Sequence, residues 1–407
     1  MLVVGFFGYL YATGGNFTAA VGILKSIPYS TSSSYTLSVI PLFILMGQII
    51  FYSGISSELF DTCYKWLGRF RGGLSIATIA ASAGFSAICG SATATAATMG
   101  VVCYPEMKKY NYKDTLATGC VCAGGTLGTL IPPSIGFILY GTAAQIAVGK
   151  MFVSGIIPGV INTLFYIACV VVITRMDKNA CPRGERFDFL EMLKSLKNVL
   201  PVIILFVIVL GGIFAGWFTA TEGGAIGAFG AFMFMVLRRR ASLENVKKSL
   251  MDTLKTSAMI LFIIMGANVF NSFLTITNMP SSLAKWILTI DVSPMMVLIL
   301  ILALYAVLGL FVDSLPLIAL LTPIFLPVIV GLGMDPIWFG VLMVMFMQLG
   351  SITPPCGIIC FVMSGVAKEV PLHRIYLGTA YFIPGLMATV VLVLLFPALG
   401  TYIPSLM

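Results

Sequence analysis

Long apolar runs, interrupted at wide intervals by short basic or Ser/Thr-rich stretches, organise this chain. Several reach the roughly 20 residues that a helix needs to cross a bilayer. Residues 1–14 are a short apolar segment, a Ser/Thr-rich stretch at 30–38 reads as a loop, and a helix runs from about 36 to 54. An amphipathic stretch then ends in KWLGRFR at 65–71. Residues 74–105 hold two apolar pieces separated by GSATATA at 90–96, each too short to span with room to spare, which predicts a re-entrant hairpin. Half-helices at about 115–127 and 135–148 follow, and a helix near 151–174 closes this half. The most polar part, 175–198, predicts a linker; beyond it come helices at about 200–217 and 221–237, Arg238, Arg239 and Arg240, and an amphipathic stretch to about 256.

Two stretches interrupt spanning runs where a helix should be unbroken: GGTLGTLIPPS at 124–134 and GSITPPCG at 350–357. Proline removes a main-chain donor and clashes with the preceding turn. Lipid offers the freed carbonyls no partner, so such backbone survives at membrane depth only inside protein or along a cavity. Two breaks in matching positions of two halves point to a transporter's binding site.

The halves match well beyond the prolines. GFFG at 5–8 pairs with GAFG at 227–230, PLFILMG at 41–47 with ILFIIMG at 260–266, KWL at 65–67 with KWI at 285–287, and Pro105 with Pro327. The offset runs only from 219 (260−41) to 222 (354−132), which marks a repeat. Residues 1–174 form the first copy, with its hairpin at 74–105 and broken helix at 115–148; 175–198 is the cytoplasmic linker; 199–407 form the second, with a hairpin at 294–330 and a broken helix at 337–367. Lys65, Arg69, Arg71, Lys108, Lys109 and Lys113 flank the first hairpin, whereas only Lys285 lies over 276–293 and no Lys or Arg over 328–337. By the positive-inside rule the hairpins enter from opposite faces and the repeat is inverted. This places 175–198, 238–256 and 368–374 in the cytoplasm and the C-terminus outside. The helix at 200–217 has no counterpart before residue 1, so about 15–20 further apolar residues, one crossing, are expected upstream.

Composition agrees and removes other classes. The 407 residues are 59% hydrophobic and 9% charged, with a mean hydropathy of +1.04. The net charge of +8 sits in short loops between apolar runs, where the membrane rule accounts for it without nucleic acid. Nine cysteines lie in or beside apolar segments; Cys120 and Cys122, the only close pair, lack metal-ligand spacing and histidine company. His373, the only histidine, lies in a basic loop and gives histidine-based catalysis or a zinc site little support, and one isolated Asp with no nearby His or Lys does not supply an enzyme's acid, base and nucleophile set. A channel would need a continuous polar path. No nucleotide-binding P-loop is present, which fits coupling to an ion gradient and no organic cofactor.

In this all-α polytopic arrangement the hairpin tips meet the breaks near the midplane. Freed carbonyls and the hydroxyls of Ser86, Ser91, Thr93, Thr126, Thr129, Ser351 and Thr353 are hard oxygen ligands suited to sodium. Half-helix N-termini favour an anionic substrate. Asp313, beside Ser314 in VDSLP, is the clearest carboxylate within the apolar runs and could ligate a cation. The plainer readings are a capping role for Asp313, hydroxyls bonded back to their own helices, and a cap or dipole role for Glu222.

At these residues the chain resembles the large membrane subunit of the tripartite ATP-independent periplasmic (TRAP) transporters, the DctM-like family. The resemblance is carried by IPLFILMGQII at 40–50, FSAICGSATATAATMG at 85–100, GGTLGTLIPPSIGFILYG at 124–141, GIIPG at 155–159, TATEGGAIGA at 219–228 and LGSITPPCGI at 349–358. It implies an elevator-type transporter of the bacterial inner membrane with two re-entrant hairpins and two broken helices. It implies partnership with a small four-helix membrane subunit and with a soluble periplasmic protein that delivers an organic acid. It also implies sodium ligation around Ser86, Gly90, Ser91, Gly125 and Thr129 in one half and Asp313, Gly350 and Thr353 in the other. Pro132 at the first break and Ser314 complete the candidate binding set. Cys356 stands where the first copy has Ser134, so the two sites are not identical. Sialic acid, C4-dicarboxylates and other sugar acids all remain open as substrates; an ion-coupled elevator carrier without a soluble partner is the alternative.

Overall fold

The computed structural model describes residues 1–182, 184 and 187–407. In the first half the helices are α1 Leu2–Ala12, α2 Phe17–Ser32, α3 Val39–Tyr52, α4 Ile55–Leu67, α5 Gly73–Cys89, α6 Ala92–Lys109, α7 Asp114–Thr126, α8 Ile135–Ala144, α9 Val148–Ser154 and α10 Ile156–Met176. In the second they are α11 Phe189–Phe214, α12 Ala220–Leu237, α13 Leu243–Ile276, α14 Met279–Thr289, α15 Pro294–Gly309, α16 Ser314–Gly331, α17 Pro336–Ile352, α18 Ile358–Val366, α19 Leu372–Ala380, α20 Ile383–Leu395 and α21 Ala398–Ser405. Among the described residues five helical segments are long and apolar enough to cross a membrane, or up to seven if each bent pair counts as one span. Among the described residues the protein is an all-helical, membrane-embedded chain.

The sequence repeat reappears as a repeat of elements. From α6 at Ala92 to α16 at Ser314, and from α7 at Asp114 to α17 at Pro336, the displacement equals that between Pro132 and Pro354. Packing between the halves is reciprocal: α1 lies along α13, and the corresponding α12 lies along α3. Small residues allow both approaches, because a Cβ on Gly5 would come 2.6 Å from Phe270 Cα and one on Gly227 would come 2.5 Å from Met46 Sδ.

Four boundaries differ from those expected. Residues 17–32 are helical, with Asn16 capping by accepting from Ala19 N at 3.0 Å, so the Ser/Thr-rich stretch is a helix end and bend instead of a loop over 30–38. Ser30 and Ser33 return their hydroxyls to Ile27 O and Tyr29 O, the local bonding that competes with helix propagation. There α2 turns by 57° into the segment ending with α3, whereas α13, the matching stretch, runs through 34 residues. The gap at 90–96 shrinks to Gly90 and Ser91, because Ser91 caps α6 by accepting from Ala94 N. The linker also shortens. Helix α11 begins at Phe189, not near 200, and its first turns dock on α4, where Thr62 and Trp66 donate to Ser195 O and Met192 O, each at 3.1 Å. Arg183, Glu185 and Arg186 of the expected linker lie outside the described residues. The helix near 151–174 is present as one span, Val148–Met176, starting earlier than expected; only Gly155, itself helical in backbone, separates α9 from α10, and a Cβ there would overlap Leu130 O at the first break.

The broken helices occupy the centre. Every residue of α7 from Leu116 to Thr126 is buried. In α17 the run from Trp338 to Met345 is buried too. An aromatic chain of Tyr140, Phe339, Tyr305 and Phe325 joins α8 to α15, α16 and α17. Irregular backbone at the first break is therefore largely enclosed by protein, the condition under which it is tolerated in a bilayer, whereas Pro354 and Pro355 at the second break are exposed. Outside the spans, Lys108 and Tyr104 donate to Glu369, tying the end of α6 to the loop before α19; the Lys108 hydrogen bond holds the Glu369 carboxyl down at about 2.

Candidate functional site

The turn between α5 and α6 is pressed onto the first break. Gly90 adopts φ 64°, its carbonyl accepts from Ile135 N at 3.1 Å, and a Cβ on it would overlap the Pro133 carbonyl oxygen. Beneath Ser91 the fit is as close, since a Cβ on Gly128 would lie 2.6 Å from Ser91 O. The break itself starts where α7 gives way to a 3-10 turn at Leu127–Thr129 and continues through a cis Pro132-Pro133 bond. Ser134 then starts α8, donating to Thr129 O at 2.5 Å and accepting from Phe137 N at 3.4 Å.

In the second half Asp313 caps α16, accepting from Ser314 N at 2.7 Å. The break after α17 also carries a cis Pro354-Pro355 bond. Cys356 does not reproduce the Ser134 cap: Gly357 precedes α18 without a side-chain cap, and Tyr376 OH instead donates to Pro355 O at 2.9 Å and Cys356 O at 3.1 Å.

The two turns and the two breaks line one small, partly open cavity of about 30 Å³. Its walls are Gly90, Ser91, Ala92 and Thr93 from the first turn, Thr129, Ile135 and Gly136 from the first break, Asp313, Ser314 and Leu315 from the second turn, and Ser351, Ile358 and Ile359 from the second break. That space suits a water-sized particle and excludes an organic acid unless an element moves. A larger basic cavity of about 550 Å³, beside Lys108, Lys113 and Arg374, is lined by none of these residues.

Seven of the residues singled out in the sequence thus come together: Gly90, Ser91, Thr93, Thr129, Asp313, Ser314 and Ser351. Six do not line the cavity. Ser86 is buried one turn before the α5–α6 turn, and its hydroxyl has no partner among the described residues. Gly125 serves close packing, a Cβ there falling 2.7 Å from Ala96 Cβ, and Gly350 does likewise, 2.7 Å from Gly309 C. Thr126 donates to Ala123 O at 2.7 Å and pairs with Tyr166 OH at 3.0 Å. Pro132 shapes the break without reaching the cavity, and Thr353 turns back to Leu349 O at 2.6 Å. Capping and back-bonding therefore account for much of the polarity, as they do for Glu222, which forms a capping box with Thr219.

Sequence reading missed Gln348 and Thr95. Gln348 is 2% exposed, and its Nε2 donates across to Thr126 O at 2.9 Å and Thr129 Oγ1 at 3.1 Å. The available signal was register: Gln348 stands opposite Thr126 in the repeat, alone as a polar residue in a long apolar run. Thr95 is buried, and a Cβ on Gly128 would come 2.9 Å from its hydroxyl.

The family model for the tripartite ATP-independent periplasmic transporter, DctM component, matches residues 1–399. A C4-dicarboxylate TRAP transporter large permease protein of Pseudomonas aeruginosa is 35% identical over 378 residues, covering 93% of this chain and 88% of that one. A sialic acid TRAP transporter large permease protein of Vibrio cholerae is 32% identical over 397 residues, covering 97% and 91%. Among solved structures, the Alcanivorax borkumensis YdaH transporter aligns with a TM-score of 0.67 over 95% of this chain and 90% of its own, at 16% identity, a likeness of fold alone.

Proposed function

The chain belongs to the DctM component family of the tripartite ATP-independent periplasmic transporters, and from that membership we propose that it imports a small organic acid by sodium symport. The substrate class is a carboxylate such as a C4-dicarboxylate or sialic acid, the compounds in the names of its relatives. A soluble periplasmic protein delivers the acid, and a small membrane subunit completes the complex in the bacterial inner membrane. The observation that carries the coupling is the cavity itself. Hydroxyls from both halves and the Asp313 carboxylate line one small space, and hard oxygens with one carboxylate suit sodium.

In the mechanism, sodium neutralises the desolvated Asp313 and draws the two turns onto the two breaks. The starts of α6, α8, α16 and α18 contribute partial positive charge for the acid's carboxylate. The bundle of turns and broken helices then moves as a unit past α1–α3 and α11–α13. Asp313→Asn is expected to raise the sodium concentration for half-maximal uptake in proteoliposomes holding both partner proteins, by about tenfold for one lost charged ligand. Thr353→Ala is expected to shift it less, because that hydroxyl is turned to Leu349 O. Sodium dependence unchanged by Asp313→Asn would remove the carboxylate from the coupling site.

The inverted topology has its own test. Single cysteines at 65–71 and 108–113, in a background whose native thiols are silent, are expected to react with impermeant reagents only after permeabilisation. Labelling from outside would overturn the orientation drawn from the flanking lysines and arginines.

A further inference from the structure

The Thr126 carbonyl opens the 3-10 turn Leu127–Thr129, beyond which Leu130 N and Ile131 N both turn to Leu127 O. Two side chains also donate to it. Thr129 Oγ1 donates to that carbonyl at 2.9 Å, and Gln348 Nε2, arriving from α17 in the other half, donates to it at 2.9 Å and to Thr129 Oγ1 at 3.1 Å. A hydroxyl has one proton and two lone pairs. With the Thr129 proton committed to Thr126 O and one lone pair taken by Gln348, a single lone pair is left to face the cavity that Thr129 lines.

The opposite half shares part of this device. Ser351, the repeat counterpart of Thr129, donates back to Gln348 O at 2.7 Å, the same step of three residues that Thr129 makes to Thr126. The side chain of Thr126, counterpart of Gln348, is too short to cross and stays on Ala123 O and Tyr166 OH. One residue of α17 therefore holds two of the cavity hydroxyls, Thr129 through its amide and Ser351 through its main chain.

We infer that Gln348 is a positioning residue for the cation site: it locks the Thr129 rotor so that oxygen, not hydrogen, faces the cavity, and it ties that ligand to the placement of the second broken helix. This rests on the sodium reading above. A freed hydroxyl can swing its proton toward the cavity, where it repels a cation.

The test is thermal unfolding of the purified full chain, with NaCl titrated against choline chloride at constant ionic strength. Sodium is expected to raise the wild-type midpoint saturably, because a ligand bound only by the folded state stabilises it. Gln348→Met keeps the length and loses both donors, and it is expected to raise the half-saturating sodium concentration by about tenfold, the scale of one lost net hydrogen bond. Thr129→Val should do the same, and the double variant should be no worse than Thr129→Val alone, since both act through one hydroxyl. A wild-type sodium curve for Gln348→Met, or additive shifts in the double variant, overturns the inference. If Gln348→Met does not fold, Gln348→Asn, whose amide is one methylene too short to cross, takes its place: the same tenfold rise is expected, and a wild-type sodium curve overturns the inference equally. A wild-type midpoint that ignores sodium sinks the sodium reading itself and this role with it.

Discussion

Replacing Gly90 with alanine is expected to cut transport by about tenfold or more, because the cost falls on the seated arrangement of the first turn and lowers its population. Gly90 sits at φ 64°, where a side chain costs roughly 1–2 kcal/mol. The larger problem is steric. The new Cβ would overlap Pro133 O, a main-chain atom with no rotamer to relieve it, and the turn would have to lift off the break it closes. Lifting also breaks the 3.1 Å bond from Ile135 N to Gly90 O. Val312, the residue at the same place in the second turn, provides the control. It has ordinary backbone and is 40% exposed, so Val312→Ala should stay within about twofold of wild type. Initial uptake rates at matched protein content decide it, and wild-type uptake by Gly90→Ala would show that the first turn does not need to seat on Pro133.

The site was legible in the sequence as far as its parts are written in local chemistry. Pro-Pro with flanking glycine and hydroxyl residues marks a helix break wherever it occurs, and its recurrence after 222 residues located the second break from the first. Asp313 was visible because a carboxylate in an apolar run is costly. What the sequence did not show is direction. Whether Thr353 faces a cavity or its own helix depends on one torsion, and its bond to Leu349 O is the default for a helical hydroxyl. Gln348 was missed for a related reason: its importance comes from which residue of the other half lies within reach, and composition carries no trace of that. The helix at 17–32 was overlooked because its Gly, Lys, Ser and Pro residues weaken the apolar signal, although Asn16 offers a usable cap.

Alanine at Gly378 or Gly119 is expected to do most damage to the fold itself. Where α7 crosses α19 the two backbones touch: a Cβ on Gly378 would overlap Thr115 O, and one on Gly119 would overlap Gly378 O. Adding a methyl to a filled interior costs about 1–3 kcal/mol when side chains can shift. Here both obstacles are carbonyl oxygens held within helices, so either relief separates α7 from α19 or the chain fails to fold. Separation would carry Thr126 and Thr129 with it, since the first ends α7 and the second follows it directly into the break. Each variant should therefore lower the melting midpoint by several degrees and reduce uptake further than its folded fraction predicts. The same substitution at Gly22 or Gly211 tests the reasoning from the other side. Neither glycine has an atom within 4 Å of the added carbon, so alanine there should be neutral or add about 0.5–1 kcal/mol through helix propensity. If all four variants melt together, backbone contact between α7 and α19 is not what holds the first broken helix in place.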